Sequence, residues 1–275
     1  MVVRRVNVSL LVPWRPDSSP ARAEAWNWLK ARWTALLPVE LVEGTCEGEP
    51  FSKTQAVNDA YLKSSGDVLI VADADSWMAP EGLEKAVEAA NRLGRLVMPW
   101  HTAWRLSEAD SQEILKMSPK QEPILPGGFR DRCTDYQPSA ATIAMIYVIR
   151  RDAFERVGGM DPRFRGWGSE DVCFGLACRT MLGPVKVLLG EAYSFWHPRS
   201  RTKEGARVWD SDSGRLNRKL ARAYRGATGH PEKMQALCAE HAFEGKPVEA
   251  IPGVKGEPLV REFLSPGEPG SRVAL

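Results

Sequence analysis

The sequence predicts an α/β fold, in which helices flank a mostly parallel sheet. Short apolar runs alternate along the chain with segments whose apolar residues have helical spacing. This alternation is typical of parallel sheets, because the crossover between two parallel strands usually carries a helix. The 275 residues, 43% of them hydrophobic, are enough for one large domain with a buried core.

The predicted elements follow in order along the chain. Apolar runs of strand length predict strands at residues 6–12, 67–72, 95–99, 142–149 and 185–189. Helical spacing predicts helices at residues 23–37, 53–62, 80–93, 151–157 and 172–180. Prolines and glycines interrupt residues 101–138. We expect an irregular, mobile loop there that closes over a bound ligand.

The composition changes after residue 198. Residues 1–198 are predicted to form the α/β domain, residues 199–244 a basic helical segment, and residues 245–275 a tail rich in proline and glycine. Residues 215–225 read as a helix with two stripes of side chains. The apolar stripe, which we expect to pack on the α/β domain, consists of Leu216, Leu220, Ala223 and Tyr224. The cationic stripe consists of Arg215, Arg218, Arg222 and Arg225.

Composition excludes several classes of protein. The formal net charge of +2 is too small for a chain that binds nucleic acid or a membrane along its whole length. The five cysteines are odd in number and form no C-x-x-C pair, which argues against a disulfide framework and a zinc ribbon. Because no signal peptide or membrane-spanning apolar segment is recognisable, we expect a soluble, cytoplasmic protein.

Two aspartates follow the predicted strand at residues 67–72. In an extended chain Asp73 and Asp75 project from one side, at the strand end where open α/β sheets bind ligands. Two converging carboxylates favour a hard cation such as Mg²⁺ or Mn²⁺ between them. His197, after the last predicted strand, is a candidate third ligand. The alternative is that the aspartates cap a helix and face water, and that His197 is structural.

The sequence GWGSED at residues 166–171 is a second candidate site. Its glycines allow a sharp turn and close approach of a ligand beside Trp167. Glu170 and Asp171 come just before a predicted helix, whose N-terminus is expected to favour the ionised, low-pKa form of Asp171. The alternative is that both acids only complement the helix N-terminus, which leaves the tryptophan between glycines unexplained.

Further candidates lie near other predicted strand ends. Pro13, Trp14 and Arg15 follow the first strand and are placed to contact a nucleobase and a phosphate, or form an ordinary turn. Lys53 and Asn58 lie five residues apart on the second helix. They are placed to reach a diphosphate and a ribose, or are solvated surface.

Five motifs, in this order, resemble those of GT-A fold glycosyltransferases. They are VPWRPD at residues 12–17, FSKTQAVNDAY at 51–61, VADADSW at 71–77, VGGMDPRFRGWGSED at 157–171 and FWHP at 195–198. Their order and spacing are most similar to the β-1,4-galactosyltransferases and related inverting enzymes of the family-2 type, over roughly residues 5–200. The animal galactosyltransferases are membrane-anchored and disulfide-bonded, so a bacterial or phage enzyme is expected.

The resemblance implies a role for each candidate residue. Asp75 and His197 match metal ligands, Asp73 lies beside the ribose and the metal, Asp171 matches the catalytic base, and Glu170 the acid that holds the acceptor. The positions that match the nucleotide-sugar pocket are Pro13, Trp14, Arg15, Lys53, Asn58, Asp73, Trp167 and Gly168. Weaker candidates for diphosphate or acceptor contact are Arg199, Arg201 and Trp104.

The favoured interpretation is an inverting, metal-dependent glycosyltransferase, specifically a hexosyltransferase. It moves a sugar from a nucleoside diphosphate sugar, with a UDP-sugar favoured, to a hydroxyl of a glycan, protein or small molecule, using Mn²⁺ or Mg²⁺. One alternative is the same chemistry on a hydroxymethylated base in DNA, bound by the cationic stripe at residues 215–225. Another is a non-catalytic nucleotide- or sugar-binding module, against which the intact acids and His197 argue. A nucleotidyltransferase is disfavoured because no glycine-rich loop follows the first strand.

Overall fold

The computed structural model describes residues 6–16, 19–136, 143–198 and 211–254 of the chain. The strands are β1 (Val8–Pro13), β2 (Glu40–Gly44), β3 (Val68–Ala72), β4 (Ser76–Met78), β5 (Val97–Met98), β6 (Thr102–Arg105), β7 (Thr134–Tyr136), β8 (Ile146–Arg150), β9 (Lys186–Val187) and β10 (Glu191–Ser194). The helices are α1 (Pro20–Leu36), α2 (Lys53–Lys63), α3 (Pro80–Leu93), α4 (Glu108–Leu115), α5 (Phe129–Arg132), α6 (Arg151–Arg156), α7 (Glu170–Leu182), α8 (Asp212–Ala227) and α9 (Pro231–Ala239). None of the described helices has the length and apolar character needed to cross a membrane.

Six strands form the main sheet, in the order β2-β1-β3-β8-β5-β9. β1 is parallel to both β2 and β3, and β5 is parallel to β9. β8 lies between β3 and β5 and is antiparallel to both, so five of the six strands point the same way. β3 is buried along its whole length, as expected for a central strand with both faces covered. The predicted α/β fold with a mostly parallel sheet is confirmed.

A second sheet has four strands, in the order β4-β10-β6-β7, and was not predicted from the sequence. β6, α4, α5 and β7 all fall within residues 101–138, where an irregular loop was expected. That expectation is wrong for the described residues 101–136. The second sheet joins segments far apart in the chain, because β10 pairs antiparallel with β4 and parallel with β6.

Helix α1 holds part of this unexpected structure in place. Trp28 Nε1 donates a hydrogen bond to the Met117 carbonyl at 3.0 Å. Arg32, which is fully buried, donates to the carbonyls of Pro119 and Gln121 and forms an ion pair with Glu122. Because these carbonyls gain charged or aromatic N–H donors in place of water, residues 117–122 are fixed on α1.

The C-terminal helices share the hydrophobic core of the α/β domain. α8 and α9 both pack on α7, and Tyr224, Met234 and Cys238 belong to the main buried cluster. The face of α8 that packs inward carries Asn217, Ala221 and Tyr224. The predicted apolar stripe is therefore only partly right, because Leu216 is 61% exposed and Ala223 is exposed. Because the inward face includes the polar residue Asn217, the spacing of apolar residues did not reveal it.

Candidate active site

The candidate site lies at the carboxyl ends of β1 and β3. Leu11 pairs with Val71, so Pro13 and Asp73 extend neighbouring strands by the same number of residues. Lys53 is the first residue of α2, and Asp171 is the second residue of α7. Two helix N-termini and two strand ends therefore meet at one edge of the sheet, an arrangement that favours an anionic ligand.

Lys53 bridges two acids at this edge. Its Nζ lies 2.7 Å from Asp73 Oδ1, 3.0 Å from Asp171 Oδ1 and 3.1 Å from Asp171 Oδ2. All three side chains are largely buried, with the side chain of Asp171 only 17% exposed. This contact joins Lys53 and Asp171, which are 118 residues apart in the sequence. We refer to Lys53, Asp73 and Asp171 as the ion cluster.

One cation does not fully neutralise the acids around it. Burial raises the pKa of Asp171; the charge of Lys53 opposes this, the charges of Glu170 and Asp73 add to it, and the pKa settles at about 7. The expectation that the helix N-terminus would keep this pKa low is therefore wrong. Burial lowers the pKa of Lys53, but the charges of Asp171 and Asp73 outweigh it and hold the pKa well above its ordinary value. Lys53 is thus charged at neutral pH.

The turn before α7 presents Asp171 beside an exposed ring. Trp167 is 64% exposed, and Gly168 adopts a φ of 120°, a conformation open to glycine but not to residues with a side chain. Glu170 Oε2 accepts a hydrogen bond from the Gly168 N–H at 2.9 Å, and burial raises the pKa of Glu170. Although Asp171 Oδ1 lies near Lys53, it has no hydrogen-bond partner of good geometry among the described residues. This oxygen is buried and is not already committed to a hydrogen bond with any of them.

Pairing of β4 with β10 creates a second polar group next to the ion cluster. Ser76 pairs with Ser194, and the Phe195 N–H donates to the Asp75 carbonyl at 2.8 Å. This pairing brings His197 Nε2 to 3.1 Å from Asp75 Oδ2. We refer to Asp75 and His197 as the Asp75–His197 pair. Burial disfavours the ionised form of Asp75, but the hydrogen bond and charge of His197 and the charge of Arg22 outweigh it and lower the pKa to about 2.

Asp73 does not join the Asp75–His197 pair. The Asp73 carbonyl accepts the Ser76 N–H at 3.0 Å, so the chain turns after β3 and the strand alternation that would align both aspartates ends. Lys53 holds the Asp73 carboxylate instead. Across the described residues no group of three or more His, Cys, Asp and Glu side chains could hold a metal ion. The structure thus brings together two of the three predicted ligands.

The chemistry of the Asp75–His197 pair fits a divalent cation whose remaining ligands come from a substrate. His197 Nδ1 lies 2.9 Å from the Pro198 carbonyl, and its Nε2 lies 3.1 Å from Asp75 Oδ2 and 3.1 Å from Arg22 NH2. One carboxylate and one imidazole, completed by phosphate oxygens, are suitable donors for Mn²⁺ or Mg²⁺.

Several predicted residues lie at the same edge or have other partners. Trp14 and Arg15 follow β1, and Arg15 donates to Gly48 O and Glu49 Oε1. The structure does not present Asn58 to a ligand, because its amide bonds both the N–H and the carbonyl of Met160. Trp104 lies on β6, its Nε1 donates to Glu191, and Arg130 lies over its ring. The weaker candidates Arg199 and Arg201 lie outside the described residues.

Two residues at the site were not predicted. Arg22 on α1 places an NH2 group 3.1 Å from His197 Nε2 and adds a cation beside Asp75. Tyr147 on β8 is buried, and its pKa is raised by burial while the charges of Lys53 and Asp171 act on it in opposite directions. Arg22 lies within the first predicted helix, and nothing in its local sequence distinguishes it from a surface arginine.

The chain is similar in structure to two solved glycosyltransferases. The catalytic domain of Drosophila β1,4-galactosyltransferase 7, solved with xylobiose, matches with a TM-score of 0.48 and 19% identity over 78% of this chain and 80% of that one. A mutant of the same enzyme with manganese, UDP-Gal and xylobiose matches with a TM-score of 0.47 and 16% identity over 77% and 79% of the two chains. GalNAc-T7 with UDP, GalNAc and Mn²⁺ matches with a TM-score of 0.49 and 14% identity, over 88% of this chain and 56% of that one.

Comparison of the sequence with protein families gives a firmer result. No curated protein sequence matches the chain. The family model described as glycosyltransferase-like family 2 matches residues 42–188, which is more than half of the chain and includes Lys53, Asp73, Asp75 and Asp171. The predicted GT-A fold and glycosyltransferase class are confirmed by this match. The chain is therefore a member of glycosyltransferase-like family 2.

Proposed function

We propose that the chain transfers a sugar from a nucleoside diphosphate sugar to an acceptor hydroxyl, with inversion at the anomeric carbon, and that Asp171 is the general base. The observation that supports this most is the state of the Asp171 carboxylate. Its pKa is raised to about 7 by burial, against the charge of Lys53, and one of its oxygens lacks a hydrogen-bond partner of good geometry among the described residues. A base of this strength suits proton transfer near neutral pH.

In the proposed reaction, the acceptor hydroxyl oxygen attacks the anomeric carbon from the face opposite the diphosphate. The new carbon–oxygen bond forms as the bond to the diphosphate oxygen breaks, and the diphosphate leaves with the electron pair. Asp171 takes the hydroxyl proton as the attacking oxygen becomes acidic. The products are an inverted glycoside, a nucleoside diphosphate and protonated Asp171, which then releases its proton to solvent.

The donor is expected to occupy the edge where two helix N-termini meet. Its diphosphate is anionic, and Lys53 at the start of α2 and Arg22 on α1 are the described cations nearest the acids there. Trp14 and Arg15, at the end of β1, are placed for the nucleoside part of the donor. A UDP-sugar remains the favoured donor on the sequence resemblance.

Asp75 and His197 are the residues that would hold a divalent cation. When bound, such a cation supplies Lewis-acid stabilisation for the negative charge that grows on the leaving diphosphate. Asp75 is ionised throughout the useful pH range, because its pKa is lowered to about 2 by His197 and Arg22 in spite of burial. Arg22 neutralises the same region from the side of α1.

The acceptor is expected to bind over the turn before α7. The exposed ring of Trp167 offers an apolar face of the kind on which a sugar ring packs, and Gly168 allows close approach. Glu170 is placed to orient the acceptor hydroxyl next to Asp171, and its tie to the Gly168 N–H fixes its carboxylate in the turn.

A DNA acceptor remains the second candidate. It is favoured by the cationic side of α8, where Arg215, Arg222 and Arg225 are exposed. Salt-dependent binding of the chain to duplex DNA that contains hydroxymethylated cytosine would separate this candidate from a sugar acceptor, because phosphate contacts lose affinity steeply with salt. Affinity that does not change with salt counts against DNA.

The test of the proposed function is a screen for nucleoside diphosphate release. The panel combines UDP-glucose, UDP-galactose and UDP-N-acetylglucosamine with methyl glycosides of glucose, galactose, N-acetylglucosamine and xylose, with Mn²⁺, with Mg²⁺ and with a chelator. We expect one donor to give acceptor-stimulated release that the chelator abolishes. Release that is equal with and without every acceptor and cation contradicts the proposal.

A further inference from the structure

One irregular segment, residues 158–168, precedes the acids at the start of α7. We call it the Trp167 loop. It connects α6 to α7 and carries Trp167 and Gly168 up to Asp171. From one side, residues of α2 and its cap hold its backbone. Asn58 bonds both peptide atoms of Met160, at 2.7 Å and 3.0 Å. Two further contacts are those of Gln55 with Pro162 O at 2.8 Å and of Ser52 with Phe164 O at 2.7 Å.

From the other side, helix α8 holds the same loop. Asn217 is only 1% exposed, and its Nδ2 donates to the Arg165 carbonyl at 2.9 Å. The Arg165 N–H donates back to Asn217 Oδ1 at 3.3 Å. One side chain therefore bonds both the backbone N–H and the backbone carbonyl of Arg165, the residue two before Trp167. An asparagine buried in this way is costly to desolvate unless both of its amide atoms are bonded, so its position and that of the loop depend on each other.

A second contact from α8 reaches the start of the loop. Tyr224 OH donates to Asp161 Oδ2 at 3.1 Å and lies 3.0 Å from His241 Nε2. Asp161 also accepts three hydrogen bonds from the Arg163 guanidinium and one from the Arg163 N–H. Tyr224 is 2% exposed and Asp161 5% exposed, so the contact between them lies inside the protein, between the loop and the C-terminal helices.

The loop needs such support because its own backbone is permissive. Gly158, Gly159, Gly166 and Gly168 all have positive φ values, which glycine adopts without strain but also leaves easily. Phe164 of the loop packs against the Tyr224 ring of α8, with centroids 6.2 Å apart. Directed hydrogen bonds hold residues 165 and 166 from both sides, namely those of Asn217 with Arg165 and that of the Gly166 N–H with the Phe51 carbonyl at 2.9 Å.

We propose that Asn217 and Tyr224 of α8 are positioning residues, which fix the Trp167 loop and thereby the acceptor side of the site. The proposal rests on the proposed function, in which Trp167 and Asp171 face the acceptor. It gives the C-terminal helices a part in catalysis, although α8 lies outside residues 42–188, the part that matches the family model. Neither residue touches the substrate; both act through the peptide groups and carboxylate of the loop.

The test compares two variants with a matched control. Asn217→Ala removes both hydrogen bonds to Arg165. Tyr224→Phe removes the hydroxyl but keeps the ring against Phe164. Thr228→Val is the control, because Thr228 is a buried polar residue of the same region whose hydroxyl donates to the Tyr224 carbonyl, four residues earlier in the chain.

Two readouts separate positioning from simple loss of stability. Hydrogen exchange at the Arg165 amide should accelerate at least about tenfold in Asn217→Ala under conditions where the protein stays folded, and should be unchanged in Thr228→Val. The kcat/KM for the best acceptor glycoside of the panel should fall about 10- to 100-fold, since small misplacement of a reacting group has effects of this size. Binding of UDP in the presence of Mn²⁺ should change by less than about twofold, a difference within experimental scatter.

Tyr224→Phe should show the same pattern with a smaller effect, and it decides the question if Asn217→Ala fails to fold. Folded variants with normal exchange at Arg165 and normal acceptor kcat/KM overturn the proposal, as does an equal loss of UDP affinity and acceptor turnover. If the wild-type chain transfers no sugar in the panel, the proposed function fails. Hydrogen exchange alone then decides whether α8 holds the loop.

Discussion

Asp171 and Asp75 are buried carboxylates at the same edge of the sheet, yet their surroundings shift their pKa values in opposite directions. Burial raises the pKa of Asp171 to about 7, because the charge of Lys53 only partly offsets it and the charges of Glu170 and Asp73 add to it. Burial acts on Asp75 in the same sense, but the hydrogen bond and charge of His197 and the charge of Arg22 lower its pKa to about 2. A pair of acids separated in this way suits two different tasks.

The difference lies in how many cationic groups each acid has. Lys53 is shared by Asp73 and Asp171, so acids outnumber cations in the ion cluster. Asp75 contacts the imidazole of His197 and also feels the charge of Arg22, so two groups stabilise its ionised form. The first arrangement leaves a carboxylate able to take a proton near pH 7. The second keeps a carboxylate ionised, as a ligand for a cation must be.

The largest effect is expected from Asp171→Asn. The amide keeps the shape of the side chain but cannot take a proton, so kcat should fall by roughly two to four orders of magnitude. UDP affinity should persist, because the Asp75–His197 pair and Arg22 are untouched. Steady-state transfer and calorimetric UDP titration measure the two quantities. Near-normal turnover of Asp171→Asn would show that the base lies elsewhere.

Glu170→Gln is the matched control for that substitution, since it changes the adjacent acid of the same turn. We expect it to raise the KM for the acceptor more than it lowers kcat, because Glu170 holds the acceptor in the proposed site. A loss of kcat as large as that of Asp171→Asn would exchange the roles of the two acids.

Asp75→Ala should abolish the dependence of donor binding on a divalent cation. Loss of a direct ligand should weaken UDP binding in the presence of Mn²⁺ by at least about 100-fold, the upper end of what loss of a supporting group costs. Asp59→Asn on α2, an acid paired with Lys63 at the surface, serves as the control. Calorimetry with and without Mn²⁺ measures the effect. UDP affinity that still rises with Mn²⁺ in Asp75→Ala would place the cation elsewhere.

Arg32→Met should weaken the support of the Asp75–His197 pair and leave the ion cluster unchanged. The Arg32 guanidinium lies over the ring of Trp77, whose strand begins directly after Asp75, and it bonds the carbonyls of Pro119 and Gln121. We expect the free energy of unfolding, measured in urea, to fall by about 2 to 3 kcal/mol, because the lost hydrogen bonds have a charged donor. The midpoint of the pH–rate profile should not move.

Lys30→Met, an exposed position on the same helix, is the control for Arg32→Met and should change stability by less than about 0.5 kcal/mol. If Arg32→Met shifts the pH–rate midpoint as well, the ion cluster and the Asp75–His197 pair are not independent. The comparison between them would then need to be revised.

The smallest effect is a shift in pH dependence in Lys53→Met. In the wild type, kcat/KM should rise with pH through a midpoint near 7, because Asp171 must be ionised to accept the proton and burial, only partly offset by Lys53, raises its pKa to about 7. Lys53 lowers that pKa, so its removal should move the midpoint to higher pH by about one unit or more. Lys63→Met, at the exposed end of the same helix, should leave it in place. A midpoint that moves to lower pH in Lys53→Met contradicts the assignment.

Local patterns were sufficient for five of the six strands of the main sheet, but the edge strand β2 was not predicted. The helix predicted at residues 80–93 is α3 itself, because Pro80 starts it and Gly94, in the left-handed conformation, ends it. The second sheet has no comparable local signal. Its short strands pair with distant segments, as Ser76 does with Ser194. The prolines around residues 119–126 predicted an irregular loop, but Arg32 holds part of this segment in place.

Local sequence patterns also did not show the contacts between distant residues at the site. Residue type, strand ends and motif order predicted Asp73, Asp75, Asp171 and His197 as site residues, and the structure places Asp171 near Asp73 and His197 near Asp75. Their partners could not be predicted in this way, because the protonation behaviour of Asp171 depends on Lys53, 118 residues away, and on burial. Arg22 was missed for the same reason. The prediction that Asp73 and Asp75 act together failed because the chain turns at Asp73 rather than continuing as a strand.

The central claim, that the two acids are tuned in opposite directions, is tested most directly by a carboxylate titration. In a chain with ¹³C-labelled aspartate side chains, the Asp171 and Asp75 signals are assigned from the spectra of Asp171→Asn and Asp75→Asn. We predict that the Asp171 signal titrates with a midpoint near 7, since burial raises its pKa, and that Asp75 titrates near 2, where His197 and Arg22 hold it. Two midpoints at the ordinary aspartate value, or the reverse order, would contradict the account.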